Sequence, residues 1–277
     1  VVFISKFLSS GLGFVATLVF ARVVGAEVLG YYSLALIISK WLRTGGETGI
    51  GSAVVKRMSE SDEKAAYFTA GLVIVSIFGV AAALSILIFK NAVNSYLGVD
   101  AAHLVILLVV VGLPVSIISS ALQGNHLVHI SGLLGPIRVG SQSFVQIALV
   151  VAGFGLTGML VGFAVGTVVV GLVGIFLLSV GLQRPEKEHF ISLIHFAKYS
   201  WLGSLKLRAF NEVDILVLGA LVSPSLVGVY SVAWSLSKFL TIFGHAVRKS
   251  VFPEISYADA NDDPNRIANL TRDSLSF

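Results

Sequence analysis

Residues 223–240 read SPSLVGVYSVAWSLSKFL, and residues 25–42 read GAEVLGYYSLALIISKWL. At a shift of 198 the two stretches share seven of eighteen positions: Gly30/Gly228, Tyr32/Tyr230, Ser33/Ser231, Ala35/Ala233, Ser39/Ser237, Lys40/Lys238 and Leu42/Leu240. Apolar positions recur cheaply in an apolar chain, but a lysine inside such a run does not. A charge at the centre of a membrane helix costs roughly 2.5–3.5 kcal/mol on the insertion scale. The pattern therefore predicts two copies of one unit, each keeping a cation at the same depth in a helix.

The composition agrees with a membrane setting. Of 277 residues, 56% are hydrophobic and 12% charged, and the mean hydropathy is +0.91; a soluble domain is typically about 25% charged. Cysteine is absent, which excludes a disulfide framework and any thiolate metal site. Eight apolar segments reach the roughly 20 residues that a bilayer crossing needs: about 2–22, 29–52, 67–89, 102–122, 132–152, 156–180, 198–221 and 225–247. Val1 already lies inside an apolar run with no charged region before it, so the expectation is a clipped first helix and no signal peptide.

Basic residues set the orientation. The connections at 22–28, 90–101, 153–155 and 221–224 hold two, Arg22 and Lys90. Those at 53–66, 123–138, 181–198 and 248–277 hold eleven, with Arg138 closing the second of them. Strict alternation of this kind places the richer set in the cytoplasm, and the N-terminus with it. Spans one to six (1–197) then form a first lobe, and 198–277 open a second with spans seven and eight. An even number of spans separates the copies, so the repeats are parallel. A second copy of equal length would need about four further spans, so the expectation is an all-α polytopic bundle of two six-helix repeats, the second truncated.

Charges inside the spans mark the candidate site. They are Lys6, Lys40, Arg43, Lys206, Arg208 and Lys238, against Glu47, Glu212 and Asp214. All sit on the first two spans of each repeat. Residues of this kind face a bundle interior or a watered cavity, not lipid. Lys40, Arg43 and Glu47 follow i, i+3, i+7 spacing and share a face; Arg208 and Glu212 are four apart and could pair. Four helices would enclose a net cationic cavity, suited to a phosphate or diphosphate. Glu47, Glu212, Asp214 and His245 are the candidates for coupling to H+ or Na+, His245 standing where Glu47 stands in the first copy. The remaining histidines lack carboxylate or thiol neighbours at metal spacing, so no metal site is expected. No phosphate-binding loop of the G-x-x-x-x-G-K-[ST] type is present. Nothing calls for a cofactor or for nucleic acid.

Several motifs carry a family resemblance over essentially the whole chain. They are ARVVGAEVLGYYSLAL, GETGIGSAVVKRMSE, DILVLGALVSPSLVGVYSVAWSLSKF and SVFPEIS. The chain resembles the oligosaccharide and polysaccharide flippases of the multidrug/oligosaccharidyl-lipid/polysaccharide exporter superfamily. The resemblance implies twelve to fourteen spans in two lobes, set in the cell membrane. It also implies movement of a polyprenyl- or dolichyl-linked oligosaccharide to the outer leaflet by rocking of the lobes. Two alternatives share the fold: a cation antiporter, which would want an acidic cavity, and a flippase for the peptidoglycan lipid precursor. An enzyme is disfavoured because the longest outward loop, 90–101, holds a single acid, Asp100.

Overall fold

The structure is a computed structural model. It describes the backbone of residues 2–238, and the side chains there except those of 2–6, 204, 207, 208 and 211. Every element among the described residues is helical, with no strand. The elements are α1 (Val2–Val23), α2 (Gly25–Thr44), a π-helical turn (Gly45–Ile50), α3 (Gly51–Glu60), α4 (Lys64–Ile88), α5 (Lys90–Leu97), α6 (Ala102–Gly124), α7 (Val128–Val151), α8 (Gly155–Leu177) and α9 (Lys187–Leu221). A tenth helix, α10, occupies 224–238. The chain divides into two compact units, the first ending at Val232 and the second beginning at Ala233.

Helices α4, α6, α7 and α8 are each long and apolar enough to cross a membrane. Helix α4 shows why such a helix belongs in lipid. Its 25 residues rise about 37 Å at 1.5 Å each, more than the roughly 30 Å hydrocarbon layer. Val73, Ile77, Val80, Leu84 and Leu87 are exposed along one face, while Gly71, Val75, Gly79, Ala82 and Ile86 are buried along the other. Both stripes keep helical spacing. An open apolar stripe is costly in water and comfortable in hydrocarbon, and the small residues of the inner stripe let neighbouring helices approach.

The first unit is a bundle in which α6 is central. It packs on α2, α3, α4 and α8, and α7 pairs with both α1 and α8. Gly162 and Gly166 of α8 lie directly against the backbone of Gln146 and Gln142 of α7, which brings those two helices together. From Gly25 to Glu60 the second span runs unbroken through the π turn GGETGI. Three of that turn's residues are glycines, and they rest against Phe78, Leu113 and Ala197.

Three boundaries differ from expectation. The segment 90–101 contains a short helix, α5. Helix α9 starts at Lys187, eleven residues before the expected start of the seventh span at 198, because its first turns have their own anchor. The Glu186 backbone N–H donates to His189 Nδ1 at 3.1 Å in a capping box. The neutral ring then carries its proton on Nε2, which lies 3.2 Å from Glu63 Oε2, while the ring stacks edge-on to Tyr67. The third difference bears on function. Arg138, counted above with a cytoplasmic connection although the expected span at 132–152 also covers it, lies well inside the membrane-length helix α7.

Candidate functional site

A cavity of about 400 Å³ opens between α2, α6, α7, α8 and α9. The charged residues lining it are Lys40, Arg43, Glu47, Arg138 and Glu212, three cations against two carboxylates. Ser116, Ser119, Ser131 and Thr167 supply hydroxyls, and Gly112 and Gly135 leave space.

Local sequence explains each placement. Lys40 and Arg43 occupy the last turns of α2, and Glu47 follows in the π turn. Arg43 is 8% exposed, and its Nη1 lies 3.3 Å from Glu47 Oε1. Its guanidinium lies flat on α6 at Gly112, where a Cβ would overlap Nη1 and stand 2.7 Å from Cζ. Only glycine admits the arginine in this position. Lys40 Nζ lies 3.3 Å from Glu212 Oε1, a contact between residues 172 apart that ties α2 to α9. The other carboxylate oxygen of Glu212 is buried without a hydrogen-bond partner.

Arg138 stands ten residues into α7, roughly 15 Å along the helix axis. It is exposed and is one of the residues lining the cavity. Among the described residues no carboxylate lies within ion-pair distance of it. Helix α7 is held against α2 by a buried amide. Gln146, 1% exposed, donates through Nε2 to the Tyr32 hydroxyl at 2.9 Å and to the Met159 carbonyl at 2.6 Å. The hydroxyls of Ser116 and Thr167 donate to their own helices, to the carbonyls of Leu113 and Phe163 at 2.6 and 2.9 Å. Their oxygens keep lone pairs free to accept from a ligand hydroxyl.

Of the residues singled out in the sequence, Lys40, Arg43, Glu47 and Glu212 come together here. Lys206 is exposed and is not among the lining residues. Asp214 instead accepts a hydrogen bond from the Tyr230 hydroxyl. Lys238 belongs to the second unit, where its ammonium lies 5.1 Å from the centre of the Trp234 ring. The side chains of Lys6 and Arg208, and His245 altogether, lie outside the described residues. Among the described residues no cluster of three potential ligands could hold a metal ion. Arg138 is the residue that sequence reasoning missed. Its signal was in the bounds themselves: the expected connection at 123–138 and the expected span at 132–152 overlap at Arg138, and α7 places it inside the helix.

The family described as "Polysaccharide biosynthesis protein" matches residues 19–277. Two curated relatives come from Haloferax volcanii. "Probable flippase AglR" is 30% identical over 95% of this chain and 56% of its own length. "Probable low-salt glycan biosynthesis flippase Agl15" is 26% identical over 99% of this chain and 58% of its own length. The chain thus spans little more than half the length of these relatives. Among solved structures, the MATE multidrug transporter DinF-BH superposes with a TM-score of 0.67 at 15% identity, covering 99% of this chain and 67% of that one. A MATE structure in complex with MaD3S gives 0.58 at 17% identity, covering 97% and 75%. At these identities the likeness concerns the fold. The chain is a multi-pass membrane protein with the MATE-like fold, and it belongs to the polysaccharide biosynthesis protein family.

Proposed function

We propose that the full-length protein is a flippase, not an enzyme. It moves a polyprenyl- or dolichyl-linked oligosaccharide from the cytoplasmic to the outer leaflet of the cell membrane, with its N-terminus cytoplasmic. The observation that carries this reading is Arg138: a cation without a carboxylate partner among the described residues, lining the same cavity as Lys40 and Arg43. An arginine held in a partly dry cavity is stabilised by an anion that its planar fork can grip, and a diphosphate fits that geometry. The hydroxyls of Ser116, Ser119, Ser131 and Thr167 line the same space and suit the sugar next to the phosphate, while the lipid tail stays in the bilayer. The names of the two relatives point the same way. The MATE neighbours would also suit a cation antiporter, but three cations in the cavity oppose a cationic cargo.

The test is flipping of a lipid-linked oligosaccharide by the full-length protein in reconstituted vesicles. Arg138→Gln is expected to lower the rate at least tenfold, and Arg138→Lys to recover only part of it, because a point charge does not reproduce the bidentate fork. An Arg138→Gln protein that is folded and flips at the parental rate would refute the assignment.

A further inference from the structure

The cavity contains two ion pairs of different kind. Arg43–Glu47 joins residues four apart on one continuous helix, so the pair itself links no second helix. Lys40–Glu212 joins α2 to α9 across 172 residues, so its state bears on how those helices stand together. We propose that Glu212 is a stand-in anion: the head group of the lipid displaces it from Lys40 on binding, and the exchange unties α2 from α9. This rests on the reading of the cavity as the seat of an anionic head group.

Four observations carry it. The contact is long, 3.3 Å, where charge-assisted N–H···O bonds run about 2.7–2.9 Å. The Lys40 side chain is 37% exposed, so an incoming anion can reach the ammonium without first displacing protein. Glu212 contributes one oxygen to the pair and leaves the other buried without a partner, an arrangement a carboxylate does not hold strongly. A diphosphate offers more acceptors and more charge, and so competes well for the same ammonium. Finally, the counter-ion is on one side of the repeat only. The shift of 198 that carries Lys40 onto Lys238 carries Phe14 onto Glu212, so the first copy has no carboxylate at that place.

The physical logic is that an empty cavity must not leave its lysine uncompensated. Lys40 is only partly exposed, and a carboxylate beside it offsets part of the cost of holding its charge there. Glu212 does this while the cavity is empty, and in doing so clamps α2 to α9. A neutral cargo has nothing to exchange for it, so the clamp discriminates charged head groups from lipid alone.

The experiment uses the full-length protein in lipid nanodiscs, with hydrogen exchange of α2 and α9 as the structural readout and farnesyl diphosphate, inorganic pyrophosphate and farnesol as probes. In the parental protein both diphosphates should speed exchange in the two helices, and farnesol should not. Glu212→Gln should exchange fast with no probe present, and should bind farnesyl diphosphate about 5- to 10-fold more tightly because the competitor is gone. The charge swap Lys40→Glu/Glu212→Lys should restore slow exchange, which shows that the pair and not the fold was disturbed. Farnesol acting like the diphosphates would overturn the clamp. So would a Glu212→Gln protein with parental exchange and affinity, while loss of diphosphate binding in Arg138→Gln would still uphold the anion-binding cavity. If the parental protein binds neither diphosphate, the clamp and the cavity reading both fall.

Discussion

Gly30 and Gly228 hold matching positions in two stretches of sequence that align at a shift of 198, and they meet. A Cβ on Gly228 would run into the Ala26 carbonyl and stand 3.0 Å from the Gly30 nitrogen; a Cβ on Gly30 would run into the Pro224 carbonyl. Ala26 and Pro224 are themselves equivalent at a shift of 198. The contact therefore maps onto itself when the two stretches are exchanged, as an isologous interface does. Helices α2 and α10 cross backbone to backbone, and the carbonyls in the way cannot swing aside as side chains would. Gly30→Ala and Gly228→Ala are each expected to destabilise the full-length protein by about 1–3 kcal/mol. The double variant should cost less than the sum of the two, because both changes break one contact. Thermal unfolding in detergent measures all three, and strict additivity would mean that the two glycines do not share a contact.

Gly112 is the second position where glycine is demanded, this time by a side chain. Its missing Cβ is the space that the Arg43 guanidinium fills. Gly112→Ala is expected to push Arg43 off α6 and weaken binding of farnesyl diphosphate roughly tenfold, about 1.4 kcal/mol. Gly140 on α7 has nothing within 4 Å of a Cβ and serves as the control. There alanine should leave binding unchanged and stabilise the helix slightly, by up to about 1 kcal/mol. Isothermal titration of the two variants separates a seat for arginine from a general intolerance of α6 to bulk.

The fold and half of the cavity were legible in the sequence for identifiable reasons. Long apolar runs report membrane helices whatever their neighbours, so α4, α6, α7 and α8 stood out. The i, i+3, i+7 spacing put Lys40, Arg43 and Glu47 together because one helix carries all three. What failed were partners that lie far apart in the chain. Glu212 has Arg208 four residues before it, a pairing the spacing allows and whose Arg208 side chain lies outside the described residues, but its contact with Lys40 on another helix could not be read from the sequence. Arg138 was read as a loop residue because the histidine and glycine around 129–135 weaken the apolar signal at the start of α7.

Gln146 tests the polar clamp that positions Arg138's helix. It is almost fully buried and bonds Tyr32 on α2 and Met159 on α8. Gln146→Leu keeps the size and removes both bonds, leaving the Met159 carbonyl and the Tyr32 hydroxyl without that partner. A buried polar group so orphaned costs about 1–3 kcal/mol. Tyr32→Phe removes one bond and one of its two partners together, so it should cost less. Chemical unfolding of the two variants gives the order, and the reverse order would show that Met159 is satisfied without Gln146.

Of the candidates for ion coupling, we propose Glu47, a carboxylate of the cavity that is bound to Arg43. Loading Glu47 with a proton or masking it with sodium would release the arginine toward a bound diphosphate, so the two cargoes would be taken up together. Flipping in vesicles should then rise severalfold under an imposed gradient of the coupling ion that runs in the direction of flipping. Glu47→Gln should flip at a rate that no longer responds to that gradient, because the arginine is already released. A parental protein indifferent to both proton and sodium gradients would remove Glu47 from any coupling role. It would leave the carboxylate as the structural neighbour that holds Arg43 on Gly112.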